Sequence, residues 1–258
     1  MSLLNLVWRK RSKGPDEWEI KPAECLLITS NPDRDLHFTS LLEARVVQQS
    51  FPGIPTLKDQ AAEREAVIRD SRDKRLWHYS GHALSDFENP LSSYLRLSGL
   101  SLTLQDIFTE IQMPHCFLAI ANGCQTAMAK PQPGDDHVSF ASGLLYAGAQ
   151  RVISTLWSVF DISAALLMVK FYENWHTQHQ QVSTAMRNAQ RWLREMPNGQ
   201  QLFIELETVL QGAPPEKRAE CLAAALPWKD RETPPFASPI HWAPHTLSST
   251  VSLFKNIR

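Results

Sequence analysis

The sequence predicts an α/β fold, with a mostly parallel central sheet and helices on both faces. Three observations predict it. Short apolar runs closed by turn residues alternate with stretches of helical apolar spacing over most of the chain, the pattern of strands joined by crossing helices. No internal repeat, heptad run or low-complexity tract breaks that alternation. At 258 residues, with 43% hydrophobic and 21% charged side chains, the chain can bury one full-sized globular core.

Each element has its own signal. Residues 1–23 mix Trp8, Trp18, Gly14, Pro15 and basic side chains without periodicity and read as a leader or linker stub. Residues 25–29 (CLLIT) are an apolar run ended by Asn31-Pro32, a buried strand and its turn. Leu41, Leu42, Val46 and Val47 recur at helical spacing over 36–49, and Phe51-Pro52-Gly53 stops that helix. Ala62, Ala66 and Val67 share a face of a second helix over 60–70. Residues 75–80 (RLWHYS) form a strand that ends in Gly81-His82-Ala83. An acidic, Pro-containing loop over 86–90 leads to a short strand at 94–97 and a helix over 102–111. The most apolar strand, 116–121, then ends at Asn122-Gly123-Cys124.

The loop over 130–136, with two prolines, a glycine and two aspartates, has the composition of a mobile segment. A helix over 139–147 closes at Gly148, a strand covers 151–159, and Asp161 stands where the N-cap of an apolar helix over 162–172 belongs. Helices over 182–195, 202–210 and 217–226 lead to a Pro-rich end. The main domain is expected over 24–246, with a tail at 247–258.

Composition excludes several function classes. A formal net charge of −1 offers no basic surface for nucleic acid. The longest apolar runs are far too short to span a bilayer, and the basic cluster at 9–11 follows the short apolar start where a secretory signal would have it first. Neither nucleic acid nor membrane is an expected partner. Cys25, Cys116, Cys124 and Cys221 form no CxxC pair and no framework spacing, which suits a reducing cytoplasm. No HExxH, GxGxxG or GxxxxGK[ST] occurs, so no metal and no cofactor is expected.

In a doubly covered parallel sheet, functional residues gather in loops at the carboxyl ends of the strands, and two reactive side chains lie there. Cys124, in AIANGCQTA, follows a glycine, has polar neighbours Asn122, Gln125 and Thr126, and ends the most apolar strand. Cys25 and Cys116 lie inside apolar strands and Cys221 in a helix beside Leu222 and Ala225, where a thiol is a small hydrophobe. His82, in LWHYSGHA, follows a strand and a small-residue turn that holds its imidazole out. His78, two residues back, faces the same way as Ser80 and reads as a packing residue.

Cys124 as nucleophile and His82 as general base make a thiol–imidazole pair. The histidine comes first, by 42 residues (124 − 82). Papain-like peptidases and class I glutaminases run cysteine first, whereas caspase-type enzymes run histidine first, roughly 50 residues upstream. The order argues for the caspase arrangement and against an amidotransferase.

The segments LWHYSGHA, SSYLRLSG, LTLQDI, AIANGCQTA, SFASGLLYAGAQRVISTLWSVFD, FYENW and HWAP, in this order over about residues 24–245, resemble successive motifs of the CHAT family. These are caspase-like peptidases, related to separases and often joined to tetratricopeptide repeats. The resemblance implies a caspase-like (caspase-hemoglobinase) fold and a cysteine endopeptidase acting on a specific protein substrate. His82 matches the family base and Cys124 the family nucleophile.

Further roles follow from the same resemblance. The backbone N–H groups of Ala83 and Cys124 would form the oxyanion hole. Family members often carry glycine where this chain has Ala83, which would be strained if the turn needed a positive φ. The strand after the nucleophile would wall the P1 pocket, making Trp157 and Asp161 substrate contacts, with Asp161 favouring a basic P1 residue. Asp86, Glu88, Asp135 and Asp136 could line the cleft, and Trp242 in SPIHWAPH would be structural. An activating partner or sensor is expected. The other reading of such a domain is a catalytically weak module that binds and regulates, for which Ala83 and the 130–136 loop speak.

Overall fold

The computed structural model describes residues 19–33, 35–36, 38–124, 126–127 and 138–250. Along the chain come β1 (Cys25–Ser30), a π-helical turn (Thr39–Glu43) running into α1 (Ala44–Ser50), β2 (Thr56–Lys58), α2 (Arg64–Ser71) and β3 (Leu76–Gly81). Three short strands follow, β4 (Ala83–Leu84), β5 (Tyr94–Leu95) and β6 (Leu102–Thr103), then α3 (Leu104–Thr109), β7 (Leu118–Asn122), α4 (Phe140–Tyr146) and β8 (Arg151–Thr155). The last third holds α5 (Asp161–Tyr172), α6 (Val182–Arg194), α7 (Gly199–Val209), α8 (Pro215–Lys229), α9 (Pro239–Trp242) and β9 (His245–Ser249).

Six strands form the central sheet in the order β2-β1-β3-β7-β8-β9, parallel throughout except for β9, which runs antiparallel to β8. Side-chain alternation divides the apolar residues between two faces. Leu27, Leu76, Leu118 and Ile120 join one core with α1 and α5 to α8. Leu26, Ile28, Trp77, Tyr79, Ala119 and Ala121 join the other with α2, α3 and α4. Burial on both faces is why these strands read as unbroken apolar runs. The mostly parallel sheet with helices on both faces is the architecture the sequence predicts.

The differences have local causes. The strand expected over 151–159 stops at Thr155, because its ladder to β9 ends at the Thr155–His245 pair. Leu156 then donates its N–H to the Pro244 carbonyl and the chain turns toward α5. Asp161 is the first residue of α5, with Phe160 at the cap position. Its carboxylate reaches another segment, as described below. The helix expected from residue 36 begins as the π-helical turn at Thr39. Gly148 closes α4 as expected: it adopts φ +118 and donates its N–H to the Leu145 carbonyl.

The strands β2, β4 and β6, of two or three residues, are too short to leave a periodic signal. β9, HTLSS, is a half-polar edge strand and lies across the boundary expected at 246. Residues 1–18 of the expected stub, the 130–136 loop with Asp135 and Asp136, and residues 251–258 lie outside the described residues. Among the described residues no helix is long and apolar enough to cross a membrane.

Candidate active site

The register of the sheet sets the site. β3 and β7 pair in parallel from Leu76–Leu118 to Ser80–Asn122, an offset of 42 residues (118 − 76). His82 and Cys124 are separated by the same 42, so each lies two residues past the last rung of adjacent parallel strands. Beyond the ladder the two strand ends stay in contact through Gly123. A Cβ on Gly123 would stand 2.8 Å from the Gly81 carbonyl oxygen, 2.9 Å from the Ala83 Cβ and 3.3 Å from the Ala83 nitrogen. Only a residue without a side chain lets the two backbones approach this closely. The residues flanking the imidazole and the thiol are thus packed directly against each other.

Cys124 is partly exposed, while Cys25, Cys116 and Cys221 are buried. Burial pushes the Cys25 and Cys221 thiols up to about 12, which makes both poor nucleophiles. On the other side of Cys124, Thr155 at the end of β8 donates its hydroxyl to the Gly123 carbonyl and accepts the Thr126 N–H, while Ala127 N–H reaches the Thr155 carbonyl. The cysteine loop is therefore pinned to β8 on one side and packed against the histidine turn on the other.

His82 is about a third exposed, and its Nε2 lies 2.8 Å from Asp35 Oδ1. Asp35 comes from the loop after β1, the strand beside β3. Asn31 braces that loop, its Oδ1 accepting the N–H groups of Asp35 and Leu36 and its Nδ2 donating to the Leu36 carbonyl. At the far end Asp161 Oδ2 accepts the Phe38 N–H at 2.7 Å. An exposed carboxylate–imidazole pair adds little stability, so its effect is to orient the ring.

Ala83 opens β4 in the short antiparallel sheet β4-β5-β6, pairing with Leu95, and it is not among the residues with positive φ. The strain that alanine could bring to this turn is absent. Trp157 is half-buried in the loop between β8 and α5, where its Nε1–H donates to the Ile240 carbonyl at 3.3 Å. Asp86 Oδ1 accepts the N–H groups of Glu88 and Asn89 and so organises its own loop. Trp242 is partly buried and donates its indole N–H to the Ala237 carbonyl. Among the described residues no group of three or more His, Cys, Asp or Glu side chains could hold a metal ion.

One step back along β3 and β7 from His82 and Cys124, on the face of the α1 and α5 core, lies a buried polar network. Glu43 Oε1 takes a hydrogen bond from His78 Nε2, Oε2 takes one from Ser80 Oγ, and both oxygens accept from Asn122 Nδ2. His78 Nδ1 faces the Tyr172 hydroxyl at 2.8 Å. Burial, and then the nearby Glu43, raise the Tyr172 phenol well above its ordinary range, so the phenol keeps its proton and donates it to Nδ1. His78, expected as a packing residue, is indeed fully buried, with both ring nitrogens engaged.

His245 completes the network from β9, its Nε2–H donating to Asn122 Oδ1 at 3.0 Å. Its Nδ1 is buried without a partner, so protonation there is unfavourable, and burial lowers its pKa from 6.5 to about 4. A histidine depressed in the folded state takes up its proton first in the unfolded chain. Its contribution is therefore intact above pH 6.5 and is lost as pH falls toward 4, by about 3 kcal/mol in all. His245→Gln keeps a donor for Asn122 and is expected to flatten this part of the stability–pH curve. Urea unfolding of both proteins between pH 4 and 7 checks it; parallel curves would refute it.

Asp35, Glu43 and His245 are the residues that sequence reasoning missed. Glu43 left one trace, a carboxylate on the same helical stretch as Leu42, Val46 and Val47. Asp35 left none, because only the strand order puts its loop beside His82.

The CHAT domain family matches residues 9–250. No curated protein matches the chain. Among solved structures, it is similar to the complex of Porphyromonas gingivalis RgpB pro- and mature domains, at 12% identity and a TM-score of 0.44, over 86% of this chain and 51% of that one. It is likewise similar to the Arg-specific cysteine proteinase gingipain R, again at 12% identity and 0.44, over 84% and 49%. The chain spans about half the length of those structures.

Proposed function

The chain belongs to the CHAT domain family, and from that premise we propose that it is a caspase-like cysteine endopeptidase acting on a specific protein substrate through His82 and Cys124. The observation that carries this reading is the shared 42-residue offset: the one partly exposed cysteine among the four and a histidine each follow the paired ends of neighbouring parallel strands at the same distance.

The steps follow from the groups present. Nε2 of His82 is engaged by Asp35, so Nδ1 takes the Cys124 proton. The thiolate attacks the scissile carbonyl, and the backbone N–H groups of Ala83 and Cys124 receive the developing oxyanion. His82 returns the proton to the leaving amine, and water, activated by the same imidazole, then hydrolyses the thioester. Asp35 holds the ring in the tautomer this sequence needs. An activating partner or sensor and a cytoplasmic setting complete the proposal. Incubating the chain with a proteome and sequencing new termini, against a Cys124→Ala control, tests it. A set of termini specific to the unmodified chain is expected, and none would sink the reading.

The proposed P1 pocket is the loop between β8 and α5, with Trp157 as its wall and Asp161 as its charge. Asparagine at 161 keeps an acceptor for the Phe38 N–H, so Asp161→Asn isolates the charge. In a partly desolvated cleft the carboxylate would favour Arg or Lys at P1. The variant is expected to lose about tenfold in kcat/KM on basic P1 substrates, about 1.4 kcal/mol, and little on neutral ones. A P1 library profiled on both proteins decides it. An unchanged basic preference would leave Asp161 as only an anchor for the Asp35 loop.

A further inference from the structure

We propose that Glu43 is a positioning residue for the dyad: its carboxylate clamps the ends of β3 and β7 together one alternation step below His82 and Cys124. This rests on the peptidase reading above.

The backbone ladder between β3 and β7 ends at Ser80–Asn122. By alternation these two residues share a face with the positions of His82 and Cys124. The carboxylate joins them: Ser80 Oγ donates to Oε2 at 2.7 Å, and Asn122 Nδ2 lies 2.9 and 3.0 Å from the two oxygens. His78, one alternation further down β3, adds its Nε2–H at 2.6 Å. An ionised carboxylate has about four lone-pair sites, and these four contacts fill them. Glu43 and His78 are 0% exposed, Ser80 2% and Asn122 3%, so the cluster is shielded from bulk solvent.

Stability alone does not explain a carboxylate here. Replacing buried charged clusters with apolar side chains of similar volume is often neutral or stabilising. What an apolar side chain cannot do is fix the lateral spacing of two strand ends through directed bonds. Glu43 does so at the last rung of the ladder, and above it the close contact of Gly123 with Gly81 and Ala83 keeps the two strand ends together. The same stretch of chain carries Asp35 to the His82 ring. One segment thus sets both the orientation of the base and its distance from the nucleophile.

The test reads the rate at which iodoacetamide alkylates Cys124, per folded molecule, by mass spectrometry, with melting temperature measured alongside. Glu43→Gln turns an amide toward the Asn122 amide, donor against donor, and is expected to slow alkylation about tenfold. Adding Asn122→Asp restores an acceptor opposite that amide and still accepts from His245, so the double variant should return to within about threefold of the unmodified rate. A merely structural Glu43 would lower the melting temperature and leave the rate per folded molecule unchanged, which would overturn the inference. Should Glu43→Gln not fold, Ser80→Ala removes one donor from the clamp and is expected to slow alkylation about threefold; an unchanged rate there overturns it equally. His82→Ala is the control for the underlying reading. If it alkylates at the unmodified rate, the dyad itself fails, whereas slowing by His82→Ala without slowing by Glu43→Gln removes only the role of Glu43.

Discussion

Cys124→Ala is expected to abolish cleavage and leave the fold intact. The alanine keeps the Cβ and the backbone N–H assigned to the oxyanion hole and deletes only the sulfur that forms the thioester. Removing the nucleophile of such a unit lowers kcat by about 10⁴-fold or more. Because the side chain is partly exposed, its loss opens no closed cavity, and stability should stay within about 0.5 kcal/mol, or a Tm change of under about 2 °C for a chain of this size. Cys116→Ala should do the reverse. Cys116 is fully buried in the core beside α3 and α4, so truncation costs about 1–2 kcal/mol while turnover per folded molecule is kept. Assays on new termini and thermal melts of both variants separate the two cysteines. Residual cleavage by Cys124→Ala within tenfold of the unmodified chain, or a large drop in its Tm, would refute the assignment.

The difference in burial between Cys124 and Cys116 was legible in the sequence because the strands of this sheet are buried on both faces. An apolar run such as 116–121 marks a central strand, and a break to Asn122-Gly123-Cys124 marks its carboxyl end. His82 was legible in the same way, from the run ending at Gly81. The layer one step below was not. Ser80 and His78 lie on a strand that reads as core and Asn122 at the break that ends the next one, and what makes them a network is Glu43, brought in by a π-helical turn. Pattern reading treats each element separately, so it cannot register a buried carboxylate whose partners come from two other elements. His245 is hidden for a further reason. An edge strand with one half-polar face has no run to detect, and its place is set by pairing with β8. The N-cap expectation for Asp161 erred by one residue, within the usual uncertainty of a helix end. The error mattered because the carboxylate reaches across to Phe38.

The second large effect is expected at Gly123. Adding one methyl there, Gly123→Ala, places a carbon 2.8 Å from the Gly81 carbonyl oxygen and 2.9 Å from the Ala83 Cβ, closer than real Cβ contacts come. Neither neighbour is the tip of a flexible side chain, so the strand ends themselves must move apart. On one side the cysteine loop is held to β8 through Thr155, so the displacement falls on the histidine turn. Overpacking of this kind costs about 1–3 kcal/mol of stability. The catalytic loss should be larger in proportion, because a misplacement of about 1 Å between reacting groups lowers rates about a hundredfold. Ala83→Gly supplies the check. It removes the methyl at 2.9 Å but not the carbonyl at 2.8 Å, so the double variant should recover part of the activity lost by Gly123→Ala, while Ala83→Gly alone should change little, since the residue carries no positive φ. The measurement is kcat/KM on one cleaved peptide for the four proteins, with melting temperatures beside it. If Gly123→Ala keeps full activity, the two strand ends are not spaced by this contact, and the geometry proposed for His82 and Cys124 fails with it.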